Sequence, residues 1–319
     1  MSTSAVETAP AAVDGAAAEL DQLGSPPLWL RAAAAAVRRL PAGRYVAMNR
    51  IARGGRAFIA TLPVSAGGYR YACDLRDGIA REVFFTNGYA PQETALLRAL
   101  LRPGDTFVDV GANWGYFTFL GAHLVGIEGQ VVAFEPDPRL YRTLAWNLRA
   151  NSLSRVRALP LAAADRAGEF TLAGYDPGQA NWGVSSLVTD PAAASFAVRG
   201  ARIDDALDDV GVDRVSLLKM DIEGGEAAAL EGMAAGLARG RYRRVLVELH
   251  PSVHPRGAAL LDDVAATFGA AGYRGWSVDS SYAATRRAAY RRRVDAASLL
   301  RPLAAGAKDP WPHQLWLAA

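Results

Sequence analysis

From Thr106 onward, short apolar runs alternate with longer segments whose apolar residues recur every three or four positions. "TFVDV" (106–110), "QVVAFEP" (130–136), "VSLLKMD" (215–221) and "RRVLVELH" (243–250) are apolar almost throughout and predict strands buried on both faces. Between them "GYFTFLGAHLV" (115–125), "PRLYRTLAWNLRAN" (138–151), "EAAALEGMAAGLA" (226–238) and "AALLDDVAATFGAAG" (258–272) carry helical periodicity. "VRALPLAAA" (156–164), "GEFTLAG" (168–174), "YRGWSVD" (273–279) and "HQLWLAA" (313–319) complete the predicted strands. Strand and helix alternating in this way imply an α/β fold, with a parallel sheet covered on both sides.

Ahead of Thr106 the pattern is different. Residues 1–24 are small, polar and without periodicity, and are expected to be a disordered tail. "SPPLWLRAAAAAVRRL" (25–40) predicts a helix, with Ser25 as N-cap, Pro26 in the first turn and Trp29, Ala33, Val37 and Leu40 on one face. "AFIATLPV" (57–64), "YRYACDL" (69–75) and "REVFFTN" (81–87) predict a small antiparallel meander, and "PQETALLRALLRPGD" (91–105) an amphipathic helix stopped by Pro103 and Gly104. The organisation expected is a tail (1–24), an extension of helix and β-hairpin or meander (25–90), and the main α/β domain (91–319).

Composition narrows the functional classes. The chain has 319 residues, 51% of them hydrophobic, with a formal net charge of +3, too small to predict nucleic-acid binding. No apolar stretch approaches the roughly 20 residues of a membrane span, and the N-terminus lacks a signal-peptide pattern. The one cysteine, Cys73, excludes an internal disulfide framework and a cysteine-based zinc cluster. A cytoplasmic protein is expected. Arginine dominates the basic residues, Lys219 and Lys308 being the two lysines, so a lysine inside the apolar run "SLLKMDIEG" marks a place suited to a compact ammonium.

The glycine turn at 111–115 follows a strand, where open parallel sheets bind ligands. A nucleoside triphosphate calls for G-x-x-x-x-G-K-[ST], which is absent, and a dinucleotide for G-x-G-x-x-G, where this chain has Asn113 and Tyr116 in place of glycines. S-adenosyl-L-methionine carries no phosphate and fits better. Asp109 at the strand end suits its ammonium, directly or through water, and Gly111 and Gly115 let backbone pass close to the methionine part. Glu135, twenty-six residues beyond Asp109, can accept both ribose hydroxyls, and Asp165 is placed for the adenine amino group. Each acid alone also reads as the N-cap of a following helix. In this order and beside the glycines, they favour the cofactor.

These motifs also carry a resemblance. "FVDVGANWGYFTFLGA", "VVAFEPDPRLYRTLAWNLRAN", "NWGVSSL", "ARIDDAL", "LLKMDIEGGEAAALEG" and "VLVELHP" occur in order, and the stretch from about 90 to 277 resembles the FkbM family of methyltransferases. The resemblance implies a Rossmann-like class I methyltransferase fold, a seven-stranded mostly parallel sheet of order 3-2-1-4-5-7-6 whose last strand, "HQLWLAA", is antiparallel. It implies S-adenosyl-L-methionine-dependent O-methylation of a sugar or polyketide-type hydroxyl. Asp109, Gly111, Asn113, Gly115, Glu135 and Asp165 match the cofactor-binding positions.

Methyl transfer to a hydroxyl calls for alignment, exclusion of water and a proton acceptor. "KMDIEGGE" offers Lys219, Asp221, Glu223 and Glu226, with Lys219 and Asp221 on one strand face and the two glutamates near a helix N-terminus that favours carboxylates in any case. "VELHPSVH" adds Glu248 and His250 on one face, so the proton acceptor is expected to be His250 or Asp221. A divalent metal on Asp221, Glu223 and His250 is the alternative, but their spacing matches no metal signature and none is expected. His123 and His254 read as surface or capping residues. Asn181 and Trp182, in "GQANWGVSSLV", suit a sugar acceptor, though Trp182 reads equally as a core anchor. The basic stretch 286–295 reads as a solvated face before it reads as a site for an acidic acceptor. An O-methyltransferase acting on a small-molecule acceptor is therefore expected, with the extension forming an acceptor pocket or a homodimer contact. N-methylation of an amine or protein side chain, or a cofactor-binding inactive partner subunit, are the alternatives.

Overall fold

The apolar runs become the strands of one central sheet. A computed structural model describes residues 18–173, 195–281, 284–285, 288, 290, 294–303 and 312–319. In chain order its strands are β1 (Ala57–Thr61), β2 (Arg70–Asp74), β3 (Thr106–Val110), β4 (Gln130–Phe134), β5 (Val156–Leu159), β6 (Ala162–Ala163), β7 (Gly168–Ala173) and β8 (Ser195–Ala201). They continue with β9 (Leu217–Met220), β10 (Arg244–Glu248), β11 (Tyr273–Val278), β12 (Leu300–Pro302) and β13 (His313–Ala318). The central sheet runs β12-β11-β13-β10-β9-β3-β4-β5. Taking β3, β4, β5, β9, β10, β11 and β13 as strands 1 to 7, the order is 3-2-1-4-5-7-6, with β13 antiparallel to both its neighbours. This is the Rossmann-like class I methyltransferase arrangement that the motifs implied.

Among the described residues the sheet has eight strands where seven were expected. The additional β12 is a three-residue edge strand paired with β11, too short to show any periodicity. "VRALPLAAA" is likewise two strands, not one. Pro160, which has no N–H to donate, ends β5, and β6 then joins β7 and β8 in a separate three-stranded sheet.

Strand alternation sorts the core into two layers. Val108, Val110, Val132, Phe134, Leu218, Met220, Val245 and Val247 face one side of the sheet, and Phe107, Val131, Ala133, Leu217 and Leu246 the other. The second face is covered by the helix Tyr116–Val125, buried along nearly its whole length, and then by the N-terminal extension.

The extension departs most from expectation. "REVFFTN" is the end of a helix, Gly78–Thr86, rather than a third strand, so β1 and β2 form a hairpin without a meander. Asp77 starts this helix by accepting from the Ala80 N–H at 2.6 Å, and Asn87 ends it in the left-handed conformation (φ 64°). A further helix, Arg44–Ile51, forms where none was expected. The first predicted helix is observed as Leu28–Arg39, with Pro27 rather than Ser25 at the N-cap. Leu30, Ala34 and Val37 are buried, while Trp29, expected to share a face with Val37, is 54% exposed near Arg56. Residues 1–17 of the expected tail lie outside the described ones, but 18–24 are held: Asp21 accepts from Trp146 Nε1 and the Gly24 carbonyl from Ile59 N–H.

The extension is tied to the sheet through the glycine turn. Tyr71 on β2 stacks on Trp114 (4.8 Å between centroids, 16° between planes), and Tyr69 stacks on Phe119. Asn147, on the helix Pro138–Ala150, accepts from Ala72 N–H and donates to the Trp114 carbonyl, both at 2.8 Å. Turn, helix and hairpin therefore fix one another. Among the described residues, no helix is long and apolar enough to cross a membrane.

Candidate active site

The register of the sheet gathers polar groups at its carboxyl edge. Asp109 on β3 pairs in register with Lys219 on β9, and Glu248 on β10 with His313 on β13. They lie on the face beneath the extension, where unpaired charge is costly. Lys219 is 4% exposed. Its Nζ lies 3.3 Å from Asp221 Oδ2 and 4.6 Å over the Phe117 ring. Burial opposes its charge, yet Asp221, Asp109, Glu248 and Glu93 hold the ammonium above its usual range.

The glycine turn above β3 is built by close approach of backbone to backbone. Gly111 has φ 84°, and a Cβ there would sit 1.9 Å from the Asp221 carbonyl oxygen. Glycine at 111 is thus required first by the strand end next door. Gly115 (φ 110°) opens the next helix, where a Cβ would meet Leu144 at 2.7 Å. Asn113, also left-handed at φ 55°, donates its N–H to Glu135 Oε2 at 2.7 Å and accepts from Trp114 N–H. The other Glu135 oxygen accepts from Asp137 N–H at 2.8 Å. Burial nevertheless pushes the Glu135 carboxyl up to about 8, against the pull of these two bonds.

Two cavities flank the turn. The larger, about 340 Å³, lies between the sheet edge and the extension, with Tyr45 and Met48 of the helix Arg44–Ile51 and Asp77 and Glu82 at the helix Gly78–Thr86 in its wall. Lys219, Tyr89 and Phe117 also face it. The smaller, about 60 Å³, is lined by Glu135, Pro136, Leu140, Ala162 and Ala163 among others. Gly111, Asn113, Asp221 and Glu223 line both cavities. Asp109 lines neither: it is fully buried and accepts from Thr118 Oγ1 at 2.6 Å. Asp165 forms an ion pair with Arg166 at 3.0 Å and is not in either wall.

The acidic segment after β9 meets the end of β10. His250 Nδ1 is 2.6 Å from Glu226 Oε1, while its Nε2 faces Glu223 Oε2 at 3.5 Å, Asp221 Oδ1 at 3.8 Å and Glu248 Oε1 at 3.8 Å. Burial works against a charged ring, but the Glu226 hydrogen bond and the surrounding carboxylates push His250 up to about 9. It is therefore an imidazolium at neutral pH, unsuited to accept a proton. Asp221 is held below the usual carboxylate range by Lys219, His250 and His313 despite its burial, and stays ionised. Lys219, Asp221, Glu223, Glu248 and His250 are thus brought together as expected, but the arrangement favours Asp221 over His250 as proton acceptor.

Two participants escaped sequence analysis. His313 Nε2 lies 2.7 Å from Glu93 Oε1 and 3.1 Å from Glu248 Oε2, and these two carboxylates push it up to about 10 against its burial. The available signal was alternation in "HQLWLAA", which puts His313 on the face of Leu315, but its partners come from β10 and from the helix Pro91–Leu100. Asn181 and Trp182 lie outside the described residues, as does most of 286–295. Tyr290 from that stretch accepts from Arg44 N–H at 3.1 Å and lies under its guanidinium, so it packs on the extension. His123 is exposed, and His254 accepts locally from Arg256 N–H.

With this geometry in place, the comparisons with known proteins are specific. The family profile described as the methyltransferase FkbM domain matches residues 109–274. The match begins at Asp109 and ends in β11, leaving the extension outside. The chain is 31% identical over 195 residues to methyltransferase sdnD of Sordaria araneosa, covering 50% of this chain and 73% of that protein. It is 31% identical over 177 residues to the 31-O-demethyl-FK506 methyltransferase FkbM of Streptomyces tacrolimicus (47% and 67%). To the 2-O-methyltransferase NoeI of Sinorhizobium fredii it is 25% identical over 160 residues (46% and 65%). The chain spans about two thirds of the length of these relatives.

Proposed function

The chain belongs to the FkbM methyltransferase family, and from that premise we propose that it is an S-adenosyl-L-methionine-dependent O-methyltransferase acting on a hydroxyl of a sugar or polyketide-type natural product. The observation that carries this reading is the meeting of two cavities at Gly111, Asn113, Asp221 and Glu223. A donor held on the Glu135 side and an acceptor held under the extension share one point of contact, beside Asp221. The relatives named for methylating 31-O-demethyl-FK506 and for 2-O-methylation support a hydroxyl rather than an amine as acceptor.

The donor set fits the cofactor. Each Glu135 oxygen takes one backbone N–H and keeps a lone pair, so the carboxylate can accept from two ribose hydroxyls. Asp109, below the turn, retains a buried oxygen without a hydrogen-bond partner and places negative charge under the position suited to an ammonium. When bound, S-adenosyl-L-methionine supplies the methyl group as an electrophile on a cationic sulfur. Asp221 takes the proton the acceptor hydroxyl loses. Lys219 keeps that carboxylate ionised and oriented through Oδ2. The extension walls the acceptor side and excludes water, and Tyr45, Asp77, Glu82 and Tyr89 present polar groups to a hydroxylated acceptor.

The test is release of S-adenosylhomocysteine from the full chain offered hydroxylated acceptors. Product is expected with the wild type and a loss of roughly 10²–10⁴ in kcat with Asp221→Asn, with cofactor affinity retained. Near-normal turnover by Asp221→Asn would remove Asp221 from the mechanism.

A further inference from the structure

His250 is oriented like a metal-binding imidazole, although nothing in the linear spacing of its neighbours points to a metal. Its Nδ1 is committed to Glu226, a fully buried carboxylate that also accepts from Gly224 N–H. Its Nε2 is directed among three carboxylate oxygens, from Glu223, Asp221 and Glu248, at 3.5, 3.8 and 3.8 Å. These separations are too long for good N–H···O bonds, which fall at about 2.7–3.2 Å. They agree with ligand–ligand edges around a cation: two donors each about 2.1–2.4 Å from one ion, at angles between octahedral and tetrahedral, lie roughly 3.0–3.9 Å apart. One donor atom each from Asp221, Glu223 and His250 falls within 4.8 Å of the other two.

We propose that Asp221, Glu223 and His250 form a binding site for a divalent transition-metal cation, with Glu248 as a further carboxylate within reach. An imidazole among carboxylates suits manganese, iron or zinc, where an all-oxygen cage would suit calcium. Glu226 is the outer carboxylate that fixes the ring by accepting from Nδ1–H, so that Nε2 is the atom that gives up its proton to solvent and coordinates when the cation binds. Local charge agrees. Glu223, Glu226 and Glu248 converge with Asp221 here, and Lys219 is engaged with Asp221 Oδ2, whereas Oδ1 lies 3.8 Å from the imidazole Nε2. Glu223 takes its place through a left-handed backbone (φ 51°), rare for a side chain of its kind. Because Asp221 and Glu223 line both cavities, a cation held here would border the acceptor and lower the pKa of a hydroxyl bound to it.

The cation's place beside the acceptor rests on the proposed methyl transfer, whereas the site itself rests on side-chain geometry and is tested by binding alone. Full-length chain cleared of metal with a chelator is titrated with Mn²⁺, free ion being followed by electron paramagnetic resonance. One Mn²⁺ per chain is expected, with spin-echo modulation from a coordinated imidazole nitrogen. Glu223→Gln is expected to abolish retention, His250→Gln to remove the nitrogen modulation, and Glu226→Gln to weaken binding roughly 10–100-fold. Glu93→Gln, at the neighbouring Glu93–Glu248–His313 cluster, is expected to bind as the wild type does. No retention at millimolar Mn²⁺ would overturn the assignment, as would retention unchanged in Glu223→Gln or lost in Glu93→Gln. None of those results would bear on cofactor binding.

Discussion

Asp109 and Lys219 are register partners on adjacent parallel strands, and the Lys219 ammonium bridges from beside Asp109 to Asp221, 3.3 Å away, at the rim of the cavity. One buried cation thus balances the acid under the glycine turn and the acid at the proposed point of reaction. Lys219→Met is expected to cost about 3–5 kcal/mol at neutral pH, because it leaves the buried Asp109 and the part-buried Asp221 without their cation. The deficit is expected to shrink as pH falls and the acids protonate, since Lys219 lowers the Asp221 pKa and protonated Asp221 no longer needs it. Urea unfolding of both proteins between pH 4 and 8 checks this, and a pH-independent deficit would assign the lysine to packing alone.

How much of this was legible in the sequence varies along the chain. The strands β3, β4, β9 and β10 were plain because burial on both faces demands apolar residues at nearly every position. Lys219 stood out for the same reason, as a charge inside such a run. "REVFFTN" misled, because Val83, Phe84 and Phe85 are all buried and a short apolar run has no period of its own; the deciding signals were Asp77 and Asn87, a cap at each end. His313 with Glu93, and His250 with Glu226, depend on contacts between elements distant in the chain, which no local pattern encodes. Gly111 was legible as necessary from the turn alone; the Asp221 carbonyl, a further reason for glycine there, comes from a strand end distant in the chain that no local pattern encodes.

That close approach makes Gly111 a sharp test of the packing. Gly111→Ala combines a left-handed φ with a Cβ placed 1.9 Å from backbone that cannot move without shifting β9. A loss of more than about 3 kcal/mol is expected, read as a lowered urea midpoint or as insoluble protein. A variant as stable as the wild type would mean that the two strand ends are farther apart than described.

Asp77 separates the roles of cap and charge. Its carboxyl is pushed up to about 6 by burial, partly offset by the Ala80 N–H that it accepts. With a folded pKa above the unfolded one, its ionisation destabilises the fold as pH rises from about 4 through 6, by roughly 3 kcal/mol at most. Asp77→Asn keeps the cap and removes the charge, so it is expected to be more stable than the wild type above pH 6, with the advantage vanishing toward pH 4. Asp77→Ala loses the cap, at about 1 kcal/mol, and is expected to fall below Asp77→Asn at every pH. Thermal denaturation of the three proteins across that range decides it.

Glu135 is proposed to hold the ribose of S-adenosyl-L-methionine, and calorimetric titration of the full chain with that nucleoside tests this most directly. Only the ionised carboxylate accepts from both hydroxyls, and the carboxyl sits at about 8. Affinity is therefore predicted to be greatest above pH 8 and to fall by up to about tenfold per unit below it. Glu135→Ala is predicted to bind roughly 10²-fold more weakly or worse, with the pH dependence gone. Binding by Glu135→Ala equal to the wild type, or wild-type protein that ignores millimolar S-adenosyl-L-methionine yet takes up ATP or NADH, would contradict it.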